Sequence, residues 1–132
     1  MGKIVLYYFA DELRYNVLTK SKTTETSVYT AKLYDCPCLK EKIPVGLYSE
    51  NFVSVQSEDN NKAYYDTSQG TLFLDGGSLM FLYSELWTEG LKNYECKIVS
   101  GTGEYINSKG YIIFNDTELK DSPYASIEII LC

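Results

Sequence analysis

KIVSGTGEYINSKGYIIF, residues 97–114, holds two apolar runs divided by glycines at 101, 103 and 110. Ile98 and Val99 belong to the first run, and Tyr111, Ile112, Ile113 and Phe114 form the second. β-Branched and aromatic side chains suit a pleated, half-buried surface. Gly101-Thr102-Gly103 fails as a phosphate loop: a dinucleotide fingerprint needs glycine where Ile106 stands, with a helix to follow. Ser108-Lys109-Gly110 has the wrong order for a nucleoside-triphosphate loop. The segment therefore reads as two strands and a tight connection.

The same grammar extends outward. Residues 91–100 alternate, and 70–74 are extended and lead into Asp75-Gly76-Gly77, a hairpin turn signal. Residues 79–87 are apolar and aromatic, and Thr88-Glu89-Gly90 breaks them. Residues 125–131 form a last strand. Towards the N-terminus, 3–13 carry Ile4, Val5, Leu6, Tyr7, Tyr8 and Phe9 in succession. Residues 28–34 alternate with period two, and 44–55 are extended. Residues 36–42 and 57–61 are turns, and the polar 19–26 is a loop or weak edge. At most one helical turn fits, near 117–120. Many short strands at near-even spacing predict an all-β barrel or sandwich.

The chain has 132 residues, so the expectation is a single domain spanning 1–132. Its net charge is −6 and its only arginine is Arg14. Without a basic stripe to neutralise phosphates, neither nucleic acid nor an anionic membrane surface is an expected partner. The absence of histidine excludes Ser-His-Asp and Cys-His catalysis and every His-ligated metal site. No metal or cofactor is expected. Cys36, Cys38, Cys96 and Cys132 lack the usual zinc spacing, and Cys36-Pro37-Cys38 looks too close to bridge itself, so all four read as free thiols. The apolar run before Asp11 is too short for a signal core, which gives a cytoplasmic expectation, or a secreted one if a signal was removed. No run reaches membrane-spanning length. Asn115-Asp116-Thr117 matches a glycosylation acceptor and is read as chance.

Asp11 and Glu12 end a strongly apolar strand. Either the strand stops there and both carboxylates are solvated, or one points inward as an acid or base. Buried carboxylates are rare, which favours solvation.

Three segments in order resemble the dirigent and allene oxide cyclase barrel superfamily. The glycine-punctuated 97–114 resembles its signature segment, with Gly101, Thr102, Gly103, Tyr105 and Gly110 at matching positions. GTLFLDGGSLMFL, 70–82, resembles the preceding hairpin. Tyr8-Phe9-Ala10-Asp11-Glu12-Leu13 resembles the first-strand motif, with Ala10 in place of its histidine and Glu12 in place of an apolar residue. The resemblance implies a small closed antiparallel barrel of about eight strands with an apolar cavity open at one end. It implies a homodimer or homotrimer that guides cyclisation or isomerisation of a small hydrophobic molecule, without a cofactor, through cavity shape and a carboxylate.

On this reading Asp11 is the expected catalytic group. Tyr7 and Phe9, on its strand face by period two, are expected to line the ligand site, as are Tyr83 and Glu85 on a later strand. The alternative is a non-enzymatic lipid-binding or protein-interaction barrel with a packed interior and a solvated Asp11.

Overall fold

The computed structural model describes residues 2–38, 43–56, 64–87 and 90–132. The turn expected at 57–61 lies outside the described residues, as do parts of those at 36–42 and 88–90.

Among the described residues nine strands form one antiparallel sheet, in place of the expected eight: β1 (Gly2–Phe9), β2 (Arg14–Lys20), β3 (Thr24–Leu33), β4 (Gly46–Gln56), β5 (Tyr64–Leu74), β6 (Gly77–Trp87), β7 (Tyr94–Gly103), β8 (Gly110–Phe114) and β9 (Tyr124–Leu131). Their order is β1-β9-β8-β7-β6-β5-β4-β3-β2. The extra strand has a local cause. A short 3₁₀ turn at Ala10–Glu12 interrupts the first apolar run, and the chain resumes as β2. The polar stretch expected as a loop or weak edge supplies the end of β2, a turn, and the start of β3.

The sheet curls until its margins meet. Tyr7 and Tyr34 exchange both backbone hydrogen bonds, at 2.8 and 2.9 Å, and so tie β1 to the residue following β3. β2 pairs with the earlier part of β3, so β1 and β2 lie in succession along one strand. The barrel is closed by this bridge and stays open beside β2.

Interior residues alternate with exterior ones along each strand. Leu33, Leu72, Leu79, Phe81, Ile112, Ile127 and Ile129 are wholly buried in one core. Each contributes about 1.5–3 kcal/mol relative to an exposed side chain. The expected helical turn exists as a 3₁₀ turn, Asp116–Lys120.

Gly101-Thr102-Gly103 is not the connection itself but the end of β7, paired with Gly77, Ser78 and Leu79 of β6. Two glycines are required by their surroundings. Gly103 has φ +59°, and a Cβ there would lie 2.1 Å from the Gly76 carbonyl oxygen. Gly110 has φ +139°, and a Cβ would lie 1.9 Å from the Ile130 carbonyl oxygen.

Cys36 and Cys38 are joined by a disulfide, which corrects the expectation of four free thiols. Their Cα atoms are 5.3 Å apart, inside the normal bridged range, where the chain bends at Asp35 and Cys36. Cys96 is free and buried, and Cys132 is free and exposed.

Gly110→Ala should lower unfolding stability by about 2 kcal/mol or more, through backbone strain and the clash with β9. Gly2→Ala, at a position with no neighbouring atom within 4 Å, should be near neutral in the same urea titrations. Equal midpoints for both variants would contradict the close approach.

Candidate functional site

Towards the open side the usual alternation inverts. On β5, Asp66 and Ser68 point inward and are buried, at 8% and 5% exposure, while Tyr65 and Phe73 point outward at 55% and 51%. On β4 the inward set is Tyr48, Glu50, Phe52 and Ser54. A sheet selected only for packing would place its polar groups outside. Here Tyr48, Phe52, Ser54 and Asp66 line a cavity of about 400 Å³.

The cavity wall is largely aromatic. Tyr29 and Phe52 meet edge to face on β3 and β4, with ring centroids 5.4 Å apart. Tyr94 of β7 stacks on Phe114 of β8 at 4.8 Å and 7°. Tyr48 packs on the same Phe114 at 5.4 Å, and Tyr83 of β6 packs on Tyr94 at 4.8 Å. Their hydroxyls supply polar points on an apolar surface.

Glu50 lies behind this wall and is wholly buried. Tyr48 and Ser68 donate short hydrogen bonds to its two carboxyl oxygens, and Tyr94 donates at 3.1 Å. Burial pushes the Glu50 carboxyl up to about 7, although these three donors pull it down. Burial likewise raises the Tyr48 and Tyr94 phenols well above their usual range.

Asp116 is the second raised acid, and it lines the cavity directly. Burial pushes it up to about 6, against the hydrogen bond that Tyr8 donates to its Oδ1 at 2.5 Å. Its 3₁₀ turn is anchored on two sides. The Thr117 N–H and hydroxyl both donate to Asn93 Oδ1, at 3.0 and 2.7 Å. The Ser126 N–H and hydroxyl donate to Glu118 Oε1, at 2.8 and 2.6 Å.

The structure corrects the placement of Asp11. The residue is exposed on the Ala10–Glu12 turn, and the Arg14 guanidinium donates to its backbone carbonyl at 2.9 Å. Period two ends at Phe9, where the backbone leaves the strand, and the Ala10 N–H donates to the Pro123 carbonyl at 2.9 Å. In β1 it is Leu6 and Tyr8 that enter the core. Tyr7 and Phe9 do share a face, but it is the opposite one. Phe9 is buried there against Tyr34 and Tyr124, and Tyr7 meets Tyr124 at 5.9 Å. The pair does not line the cavity.

Tyr83 does line the cavity. Glu85, on the same face, is exposed at the rim. It accepts a hydrogen bond from the Tyr83 hydroxyl at 2.9 Å and an ion pair from Lys92 at 2.8 Å.

Glu50, Asp66, Asp116, Tyr8, Tyr48 and Tyr94 were missed in the sequence. The spacing Tyr48-x-Glu50-x-Phe52, a carboxylate flanked by aromatic residues at period two, was the available signal.

Chemically, one carboxyl raised by burial lines the aromatic cavity beside the Tyr8 phenol, and a second lies behind the Tyr48 and Tyr94 phenols of its wall. Such groups can give and take protons under mild conditions.

No protein-family model matches the chain, and no curated protein sequence does. Solved structures do match in fold. A pyocyanin demethylase superposes with a TM-score of 0.67 and 20% identity, covering 99% of this chain and 100% of that one. A nonspecific heme-binding cyclase, which catalyses a cycloaddition in neoabyssomicin biosynthesis, gives 0.69 and 12%, covering 99% of this chain and 64% of that one. A pterocarpan synthase dirigent protein gives 0.63 and 16%, covering 98% of this chain and 84% of that one. The chain has the dirigent-like barrel fold.

The raised acids have a consequence for stability. Glu50 holds its proton more tightly in the folded chain than in the unfolded one. The folded state is therefore favoured below the ordinary carboxylate range and loses that advantage as pH rises through about 7. Asp116 acts in the same direction, through about 6. Glu85 and Glu128, both lowered by their lysine partners, act only at lower pH. Urea unfolding should thus show lower stability at about pH 8 than at about pH 5, by up to about 3 kcal/mol from Glu50. Glu50→Gln should flatten much of that slope. A wild-type profile level across this window would contradict the buried acids.

Proposed function

We propose that the barrel binds a small hydrophobic molecule in this cavity and promotes its cyclisation or isomerisation by proton transfer. Asp116 with Tyr8 is the acid–base pair that meets the ligand. Glu50 acts from behind, by orienting and polarising the Tyr48 and Tyr94 hydroxyls. The observation that carries this reading is the inverted alternation around the cavity, where buried acids face inward and aromatic residues of the same strand face water. An unpaired buried polar group costs stability, and functional sites are where such costs persist.

The chemistry follows from the proton positions. With Glu50 ionised, the phenols donate to it, and their oxygens retain lone pairs that can accept from a ligand. With Glu50 protonated, its own O–H has to be accepted by one of these neighbours. A phenol that accepts it can turn its O–H into the cavity. Asp116 can protonate a ligand atom or remove a proton from one, since its acidity lies about one unit from neutral. The apolar rings limit water and hold the ligand's shape, which favours one ring closure over others. A demethylase, a cyclase and a synthase share this fold by name, in keeping with small-molecule chemistry in its barrel. The rival reading, a packed interaction barrel, predicts a filled interior, and the open cavity counts against it.

The neutral fluorescent probe N-phenyl-1-naphthylamine should bind with one-to-one stoichiometry and gain emission. Ser54→Phe, which adds a ring to the cavity wall, should weaken binding by roughly tenfold or more. Asp116→Asn should leave probe binding within about threefold, because its role is in proton transfer rather than in volume. Absence of saturable binding, or full binding by Ser54→Phe, would remove the cavity as the ligand site.

A further inference from the structure

On the reading that this cavity is a ligand site, we infer that its ligand is an aromatic cation, seated with its positive charge at the Asp66 carboxylate and its rings against the tyrosine wall. Asp66 is 8% exposed and faces the cavity from β5. Its Oδ1 is buried and has no hydrogen-bond partner among the described residues. An orphaned carboxylate oxygen is costly in a folded protein. A ligand that supplies a charge or a donor there removes the cost.

The charges around the cavity point the same way. Glu25, Asp66 and Asp116 lie on its wall. The single cationic side chain among the described lining residues is Lys92. It acts on Asp66 through space, but its ammonium is bound to Glu85 at 2.8 Å. Lys20 stands 3.9 Å from Glu25 and is largely exposed, so it offsets little. An anionic ligand would meet three carboxylates and no free cation. Ser54 bonds the Asp66 carboxyl, and a neutral hydrocarbon would still leave its Oδ1 without a partner. Tyr29, Tyr83 and Tyr94 line the same cavity and add a second attraction, because the quadrupole of an aromatic ring draws positive charge.

Three bicyclic probes of similar size separate charge from shape. N-Methylquinolinium is a permanent cation, quinoline is neutral at about pH 8, and 2-naphthoate is an anion. Isothermal titration of each into the wild-type protein should give the order cation, neutral, anion, with the cation at least about tenfold tighter than quinoline. Asp66→Asn should bring the cation to within about threefold of quinoline, with a far-ultraviolet spectrum matching the wild type to report that the variant is folded. If quinoline binds and the cation binds no better, or if the preference survives Asp66→Asn, the charge assignment is overturned and the ligand site stands. If none of the three binds, both readings fall.

Discussion

Glu50 is the point around which this barrel is organised. A carboxyl withdrawn from water must be hydrogen-bonded or neutralised, and here three strands contribute to the task. Tyr48 comes from the same strand, Ser68 from β5 and Tyr94 from β7. The two tyrosine rings cannot move without releasing their hydroxyls. They in turn pack on Phe114, which packs on Phe81 at 5.5 Å. One buried acid therefore fixes the position of the cavity wall and the boundary between wall and core.

That boundary divides the molecule into two regimes. On the side of Leu72, Leu79, Ile112 and Ile127 the barrel is a dry interior, and its contribution to stability is conventional. On the side of Asp66 and Asp116 it surrenders packing for a shaped, polar-lined space. The strands run through both regimes without interruption. Glu50 and Asp66 are thereby held by the same backbone ladders that hold the core, whereas Asp116 depends on the side-chain bonds that anchor its 3₁₀ turn.

The architecture was legible in the sequence because turn chemistry and period-two patterning agreed over most of the chain. Asp75-Gly76-Gly77 marked a hairpin, and 28–34 marked a strand with one buried face. The facing of β1 was not legible. Ile4, Val5, Leu6, Tyr7, Tyr8 and Phe9 are apolar in both parities, so alternation could not say which set entered the barrel. The 3₁₀ turn that carries Asp11 away leaves no mark in such a run, because the Ala10 N–H that anchors it donates to the carbonyl of Pro123, far along the chain. Glu50 and Asp66 were hidden for a related reason. Pattern reading assigns the polar parity to solvent, and at the cavity that assignment reverses. The Cys36–Cys38 bridge was missed because spacing in sequence does not measure the distance across a turn.

The pairing of β9 with both β1 and β8 sets a temporal order on folding. Gly2 lies opposite Leu131, and Leu131 also lies opposite Gly110. The hairpins from β3 to β7 join neighbours in sequence and can form while the chain is still short. β1 has to wait for β9 before its ladder exists. Such long-range closure is slow, since its entropic cost precedes its reward. During that interval an apolar strand stands without a partner, and its unpaired edge is the part of this protein most exposed to association with another chain before folding is complete.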